Sequence, residues 1–579
     1  MLRSARGRIS ALALAGYASV SVLVFGVRVL AHPGRNYVGG LTTDPQVFIW
    51  SLAWWPHAVL HGQNPLVTKA IWVPDGVNLA WTQSAPGLAV ALAPLTLAAG
   101  PIVAYNVAAL LMPALAAWTA FLLCRHVTDA TWPSLVGGGL FGFSTYMLGG
   151  TLAHVQTTAV FVVPLVALVV LQFLEGGLGG RALGLRLGAL LAVQAWLETE
   201  IFFTTTLALA VALVLVAIFV PSGRERLISL AAPLAGAYLL AAVLLSPLLY
   251  YLATGRSAGR PPANDTFVGD ALNFIVPTHV EAVGWWADHL ARHFPANDAE
   301  RGTYIGIPAL VIVALFARLR WRTGTGRFLL VAFLLGVVAT LGSWLTFDGR
   351  RLTSLPWVHL GVRPPLDLLM PVRFSLYTAL VTAVIAAIWL TVTAAGAVVR
   401  IGLPLLAFAA LAPNVGLAEW AGPGARTLFA AKPPTIPPFF TGDSYRSCLL
   451  ENEVVLALPF GARGNSLVWQ AKSGFWFRLA GGYIMNTVPP AFRHPAAVAH
   501  VASNDEPAQI TLAEVRAFSR KASVSSIVLD AAQSRPWRKL LDRLSRPQAV
   551  GGVLIYRLDG NPPGSRPAHA SSCPSPRTA

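Results

Sequence analysis

Apolar residues run along this chain in blocks of about twenty, separated by short polar stretches rich in Arg. A helix needs about twenty apolar residues to cross the roughly 30 Å of bilayer hydrocarbon. Lipid offers no partner to a backbone N–H or C=O, so such blocks must be helices. The pattern predicts eleven spans: 11–30, 101–124, 132–150, 156–175, 187–201, 203–220, 227–250, 303–317, 328–347, 372–393 and 401–420. Arg3, Arg6 and Arg8 precede the first block, which reads as an uncleaved span with a cytoplasmic N-terminus. Counting onward, the inner loops hold Arg125, Arg181 and Arg186, Arg224 and Arg226, the cluster Arg318, Arg320, Arg322 and Arg327, and Arg400. Joining 187–220 into one helix would put that four-Arg cluster outside, so the stretch reads as two short helices meeting near the outer face.

Four segments then lie outside: 31–100, 251–302, 348–371 and 421–579. In 44–62, Phe48, Trp54 and Trp55 are expected at the membrane surface, where aromatic rings favour the headgroup level. The run 86–99 is short for a span and reads as a re-entrant or surface-lying helix. Pro433, Pro434, Pro437 and Pro438 stiffen a linker over 421–440. Beyond it, 454–459, 526–530 and 552–558 read as strands, and 512–522 and 536–545 as helices. The fold class expected is therefore an α-helical polytopic membrane protein with a C-terminal extracytoplasmic α/β domain over 441–560 and a disordered tail at 561–579.

Composition agrees: 55% of residues are hydrophobic and 12% charged, about half the charged share of a soluble domain. The net charge of +17 reflects Arg in short loops, a topology signal rather than a nucleic-acid footprint. Cys124 lies in an apolar block; Cys448 and Cys573 have the reach to pair across a long loop, but nothing in the sequence requires it.

With topology accounting for most Arg, the informative residues are acids, His and Arg at the outer ends of spans, where charge is costly and its presence points to use. Asp44, in TTDPQ, can serve as a general base or cation ligand, or as a helix N-cap ahead of Pro45. Asp75 lies in Pro-Asp-Gly turn chemistry. His154 opens the fourth span, and Glu198 and Glu200 sit where two short helices meet, one free to enter the bundle and the other to face water. In 251–302, Asp288, His289 and His293 form a metal-like trio at helical spacing. Arg301 and Arg373 are either anion clamps or partners of nearby acids.

TTDPQ, AHVQTTAVFVVPL, WLETE and YIGIP, set in this architecture over 1–420, resemble the GT-C class of integral membrane glycosyltransferases. The resemblance implies transfer of a sugar from a polyprenyl-phosphate donor to a glycan, lipid or protein acceptor at the outer face of a bacterial inner membrane. It implies Asp44 as general base, Arg260, Arg301 and Arg373 around the leaving phosphate, and His154, Glu198, Glu200 and Tyr304 in substrate binding. In that class a second acid often stands beside the first; here Pro45 follows Asp44, which weakens the case for a divalent cation and leaves the base role open. The competing classes are a transporter or lipid flippase, and a non-catalytic envelope assembly protein. A transporter predicts internal repeats and mid-span charge; the sequence shows no clear repeat between its halves.

Overall fold

The computed structural model describes residues 2–39, 44–255, 266–363, 365–415, 429, 431–484, 488–503, 507–558 and 573. The chain divides into two compact units. One comprises Met1–Thr42, Asn106–Ser246 and Pro262–Lys432; the other comprises Thr43–Tyr105, Pro247–Pro261 and Pro433–Ala579.

Among the described residues, seven helices are long and apolar enough to cross a membrane: Gly7–Leu30, Pro101–Thr128, Val155–Leu174, Thr199–Phe219, Gly223–Leu244, Gly324–Leu341 and Pro371–Val392. The other predicted blocks land on shorter or broken helices. The block 132–150 is split into Thr131–Gly142 and Thr145–Ala153, while Ile307–Arg320 and Ala397–Ala410 have 14 residues each. The stretch 187–220 is two helices, Gly180–Leu197 and Thr199–Phe219, separated by one extended residue, Glu198.

Small residues bring helices of the first unit together. A Cβ added at Gly137 would stand 2.7 Å from Cys124 Sγ and 2.8 Å from the Ala383 carbonyl. In lipid, where apolar side chains gain nothing by hiding from water, such close approach of small residues is a main source of helix association.

The second unit is built around a five-stranded sheet in the order Arg478–Leu479, Val454–Leu458, Ser526–Asp530, Val553–Arg557, Gln548–Val550. The first three strands are mutually parallel; the last two add antiparallel. Val454–Leu458 and Ser526–Asp530 are buried throughout, as continuous apolar strands covered on both faces must be. Leu512–Lys521 is held at its start by a capping box between Thr511 and Glu514. Cys448 and Cys573 form a disulfide, the pairing the sequence left open. The rest of the tail beyond 558 lies outside the described residues.

One expectation is corrected in this unit. Phe48, Trp54 and Trp55 are not at a lipid surface but inside protein, 1%, 2% and 6% exposed. They lie on the helix Pro45–Leu60, which packs on Ser466–Lys472 of the C-terminal region. Trp50 Nε1 donates to Gln470 Oε1 at 2.8 Å, Gln470 Nε2 donates to the Ala70 carbonyl at 2.8 Å, and Leu479 N donates to the same carbonyl at 2.8 Å. The loop after the first span is thus a layer of the C-terminal region. Large aromatic rings gain more by full burial, about 25 cal/mol per Å², than by resting at an interface. The run 86–99 forms two short helices, Pro86–Ala91 and Ala93–Ala99, that leave Val90 and Leu97 exposed.

Candidate functional site

In the first unit, Arg373 lies on a single turn, Pro371–Phe374, at the start of Ser375–Val392. It is 4% exposed. Its Nη2 donates to Glu300 Oε1 at 2.6 Å and its Nε to Glu300 Oε2 at 3.4 Å, a forked pair, while its Nη1 donates to Glu200 Oε2. Glu200 Oε1 also accepts from Met370 N at 2.9 Å. His154 Nδ1 stands 3.4 Å from Glu300 Oε1. The helix start at 200 and the turn at 300 therefore meet on the guanidinium of Arg373, and the turn at 154 joins them through Glu300. Both acids flanking Thr199 turn inward: Glu200 bonds Arg373 directly, while Glu198, on extended backbone, accepts from Glu200 N and lies within electrostatic reach of Arg373.

The adjoining cavity, lined by Tyr146, Gly150, Thr157, Glu300, Arg373 and Ser375, measures about 10 Å³. That is room for about one water and not for a sugar ring. Two carboxylates face one guanidinium here, so the cluster offers no net positive charge to a phosphate. The geometry is that of a clasp between helices. Arg301 is engaged in the same way, donating to Asp298 Oδ1 at 2.9 Å and to the Phe294 and Pro295 carbonyls. Tyr304 is buried, and burial with the nearby Glu281 pushes its phenol up to about 12. Arg260 lies outside the described residues. The Asp288, His289 and His293 trio does not converge. The helix Asp288–Ala291 is too short to align it, Asp288 pairs with His279 at 2.6 Å, and His293 pairs with Asp348 at 2.9 Å. Among the described residues, no three His, Cys, Asp or Glu side chains gather as a metal-holding group.

Glu281 is a site the residue pattern did not single out. It is fully buried and has only neutral donors: Thr145 Oγ1 at 2.7 Å on one oxygen, Thr278 N at 3.0 Å and Thr278 Oγ1 at 3.2 Å on the other. Burial raises its carboxyl from 4.5 to about 7, with its hydrogen bonds to Thr145, Thr278 and its own backbone opposing. A folded-state value above the unfolded one favours the protonated native state. The stability this contributes is complete below about 4.5 and lost as pH rises through about 7. Glu281→Gln removes that loss, because its Oε1 can take both Thr278 donors while Nε2 donates to Thr145 Oγ1. The variant is expected to be more stable than wild type at pH 8 by up to about 3 kcal/mol and equal to it near pH 4.5. Thermal melts at the two pH values check this; equal melting points at pH 8 contradict it.

In the second unit, Asp44 precedes Pro45 at the head of Pro45–Leu60. Its carbonyl accepts from Val47 N at 2.9 Å, but its side chain makes no capping bond to the helix. The N-cap role, the plainest alternative for this residue, is therefore unused. Burial raises the Tyr483 phenol above its ordinary value, and the Asp44 carboxylate raises it further. Asp75 in the same unit stands 3.6 Å from Lys521 Nζ.

The fold is similar to those of several solved transferases. The archaeal oligosaccharyltransferase AglB from Archaeoglobus fulgidus, solved with an inhibitory peptide and a dolichol-phosphate, superposes with a TM-score of 0.54 at 12% identity, covering 96% of this chain and 75% of that one. An apo crystal structure of the Archaeoglobus fulgidus oligosaccharyltransferase gives 0.53 at 13% identity over 91% of this chain and 70% of that one. The mycobacterial arabinofuranosyltransferase AftD gives 0.55 at 14% identity, over 95% of this chain and 41% of that one. At such identities the likeness is one of fold. No curated protein matches the chain in sequence. A family profile described as "Domain of unknown function (DUF6311)" matches residues 13–412. The chain belongs to that family.

Proposed function

We propose that this protein is a membrane glycosyltransferase that moves a sugar from a polyprenyl-phosphate donor to an acceptor hydroxyl or amide, with Asp44 as general base. The observation that carries the reading is an acid at the head of the first helix after the first span, left unused by capping, in a chain whose fold follows membrane glycosyltransferases over more than nine-tenths of its length. The dolichol-phosphate in the AglB complex supports a lipid-phosphate donor. In the step, the acceptor group transfers its proton to a carboxylate oxygen of Asp44 as its heteroatom bonds the anomeric carbon. The bond from that carbon to the phosphate oxygen breaks, its electron pair leaves with the lipid phosphate, and Asp44 later returns the proton to water. Arg301 and Arg373 are held by acids, so of the three arginines the sequence assigned to the leaving group, Arg260 is the one retained.

The disulfide supports an outer-face site, because such bonds persist in oxidising compartments, and Asp44 belongs to the unit that contains it. Maleimide–polyethylene glycol is expected to shift the denatured protein by one adduct, on Cys124, before reduction and by three after it. Three adducts without reduction would remove the support for an outer location. The activity itself is tested with a radiolabelled polyprenyl-phosphate sugar and the purified protein in detergent. Release or transfer of sugar is expected. Movement of the intact donor across sealed vesicles, with no bond broken, would mark a flippase instead.

A further inference from the structure

The helix Pro45–Leu60 runs out in the stretch HAVLH, which places His57 in its last turn and His61 at its C-cap. Residues four apart share one face of a helix. The two imidazoles lie against one another, with ring centres 4.1 Å apart and planes 29° from parallel. His57 is half-buried and His61 exposed. The tautomer of His61 is fixed. Its Nδ1 stands 2.7 Å from the His57 carbonyl, and a carbonyl oxygen only accepts, so Nδ1 carries the proton and donates. Nε2 of the neutral ring then has a lone pair and no proton. Histidines that ligate metals almost always have this arrangement, the other ring N–H being held by a backbone carbonyl, a carboxylate or water. A merely solvated pair would leave both rings of that turn to water. Here the Phe475 ring also packs against His57, at 4.4 Å with planes 34° apart. Phe475 is itself held in place. It follows Gly474 beyond the helix Ser466–Lys472, both residues lie in the left-handed region at φ 63° and 60°, and Phe475 N donates to the Gln470 carbonyl at 3.0 Å. Phenylalanine adopts that region only where its surroundings hold it there.

We propose that His57 and His61 form a two-histidine binding site for a divalent transition-metal ion of the Zn²⁺ class, with water in its remaining positions. Two Zn–N bonds of about 2.0–2.1 Å span nitrogens up to about 4 Å apart, the separation these ring centres already show. Imidazole nitrogen suits Zn²⁺, Cu²⁺ and Ni²⁺, whereas Mg²⁺ and Ca²⁺ take oxygen ligands. The site is separate from Asp44: at 1.5 Å per residue the helix puts His57 about 20 Å from it. The inference therefore does not rest on the sugar-transfer reading. A bound ion fixes both rings, and through Phe475 it steadies the end of the outer-loop helix against the C-terminal layer.

The test uses the full chain in detergent, purified through a tag that contains no histidine and stripped of metal with a chelator. Zn²⁺ is titrated by calorimetry into wild type, His61→Ala and His57→Ala. The chain has 12 His, so the readout is the difference between proteins. In each variant one equivalent of bound Zn²⁺ is expected to disappear, or its affinity to fall by at least about a hundredfold, since changes to outer-shell partners alone typically cost about 10–100-fold. Excess Zn²⁺ is expected to raise the melting point of wild type and to raise that of His61→Ala less. Because His61 is exposed, the metal-free His61→Ala protein is expected to melt like wild type. That variant decides the matter if His57→Ala, which also loses packing on Phe475, does not fold. Equal Zn²⁺ stoichiometry and affinity in wild type and His61→Ala overturn the inference, as does a wild type that binds no Zn²⁺. Displacement of the bound Zn²⁺ by an equal concentration of Mg²⁺ overturns the assignment to a transition metal.

Discussion

Asp44→Asn is expected to abolish sugar transfer while leaving the protein folded. Asparagine keeps the size and hydrogen-bonding reach of the side chain, but it cannot take a proton. A positioned general base contributes about 10² to 10⁴ in rate, and the loss should fall at the upper end if no neighbouring group substitutes. Folding should survive because the carboxylate makes no capping bond to Pro45–Leu60. A helix whose N-cap residue makes no side-chain capping bond does not lose the ~1 kcal/mol that removal of a working cap costs. Transfer of label and a melting curve are read on the same preparation. Loss of both would show that Asp44 holds the fold, and retention of both would remove it from the chemistry.

Arg373→Met is expected to cost about 3–5 kcal/mol of stability, the largest structural effect of any single change considered. The methionine fills much of the volume but leaves Glu200 and Glu300 facing one another in a buried site without their cation. Buried pairs are weak sources of net stability when intact; removing one partner is severe because an uncompensated charge remains. The combined change of Arg373→Met, Glu200→Gln and Glu300→Gln should therefore recover much of the loss, a non-additivity that a direct role in substrate binding would not produce. Melting in detergent measures this. An Arg373→Met protein that melts like wild type but transfers poorly would return the guanidinium to the role of phosphate clamp. The clasp predicts the opposite order of effects, with stability falling first.

The apolar blocks, the break near residue 198 and the C-terminal strands were legible in the sequence because each is a local response to a strong constraint. Hydrocarbon forces backbone bonds inside a segment, so about twenty apolar residues can only be a helix. Charge forces Glu198 and Glu200 to interrupt one, and a short apolar run bounded by turn residues is a strand once another strand pairs with it. Val454–Leu458 and Ser526–Asp530 follow their predicted limits within a residue. Asp44 was also visible, as the first acid after the first span, though the residue pattern alone favoured its capping role over a chemical one.

What only the tertiary structure decided is which side chains meet. Phe48, Trp54 and Trp55 carry the same pattern whether they face headgroups or protein, and the choice depended on Ser466–Lys472, whose Gln470 lies 420 positions from Trp50. Arg373 was chosen as an anion clamp because an Arg at an outer span end is unusual, but its partners at 200 and 300 share no spacing with it that a sequence displays. Glu281 looked like one acid among many in a polar loop until Thr145 and Thr278 closed over it. Hydropathy is a property of each residue and its near neighbours, so the chain states it directly; burial, charge pairing and basicity belong to groups brought together from distant segments, and they exist only once the chain has folded.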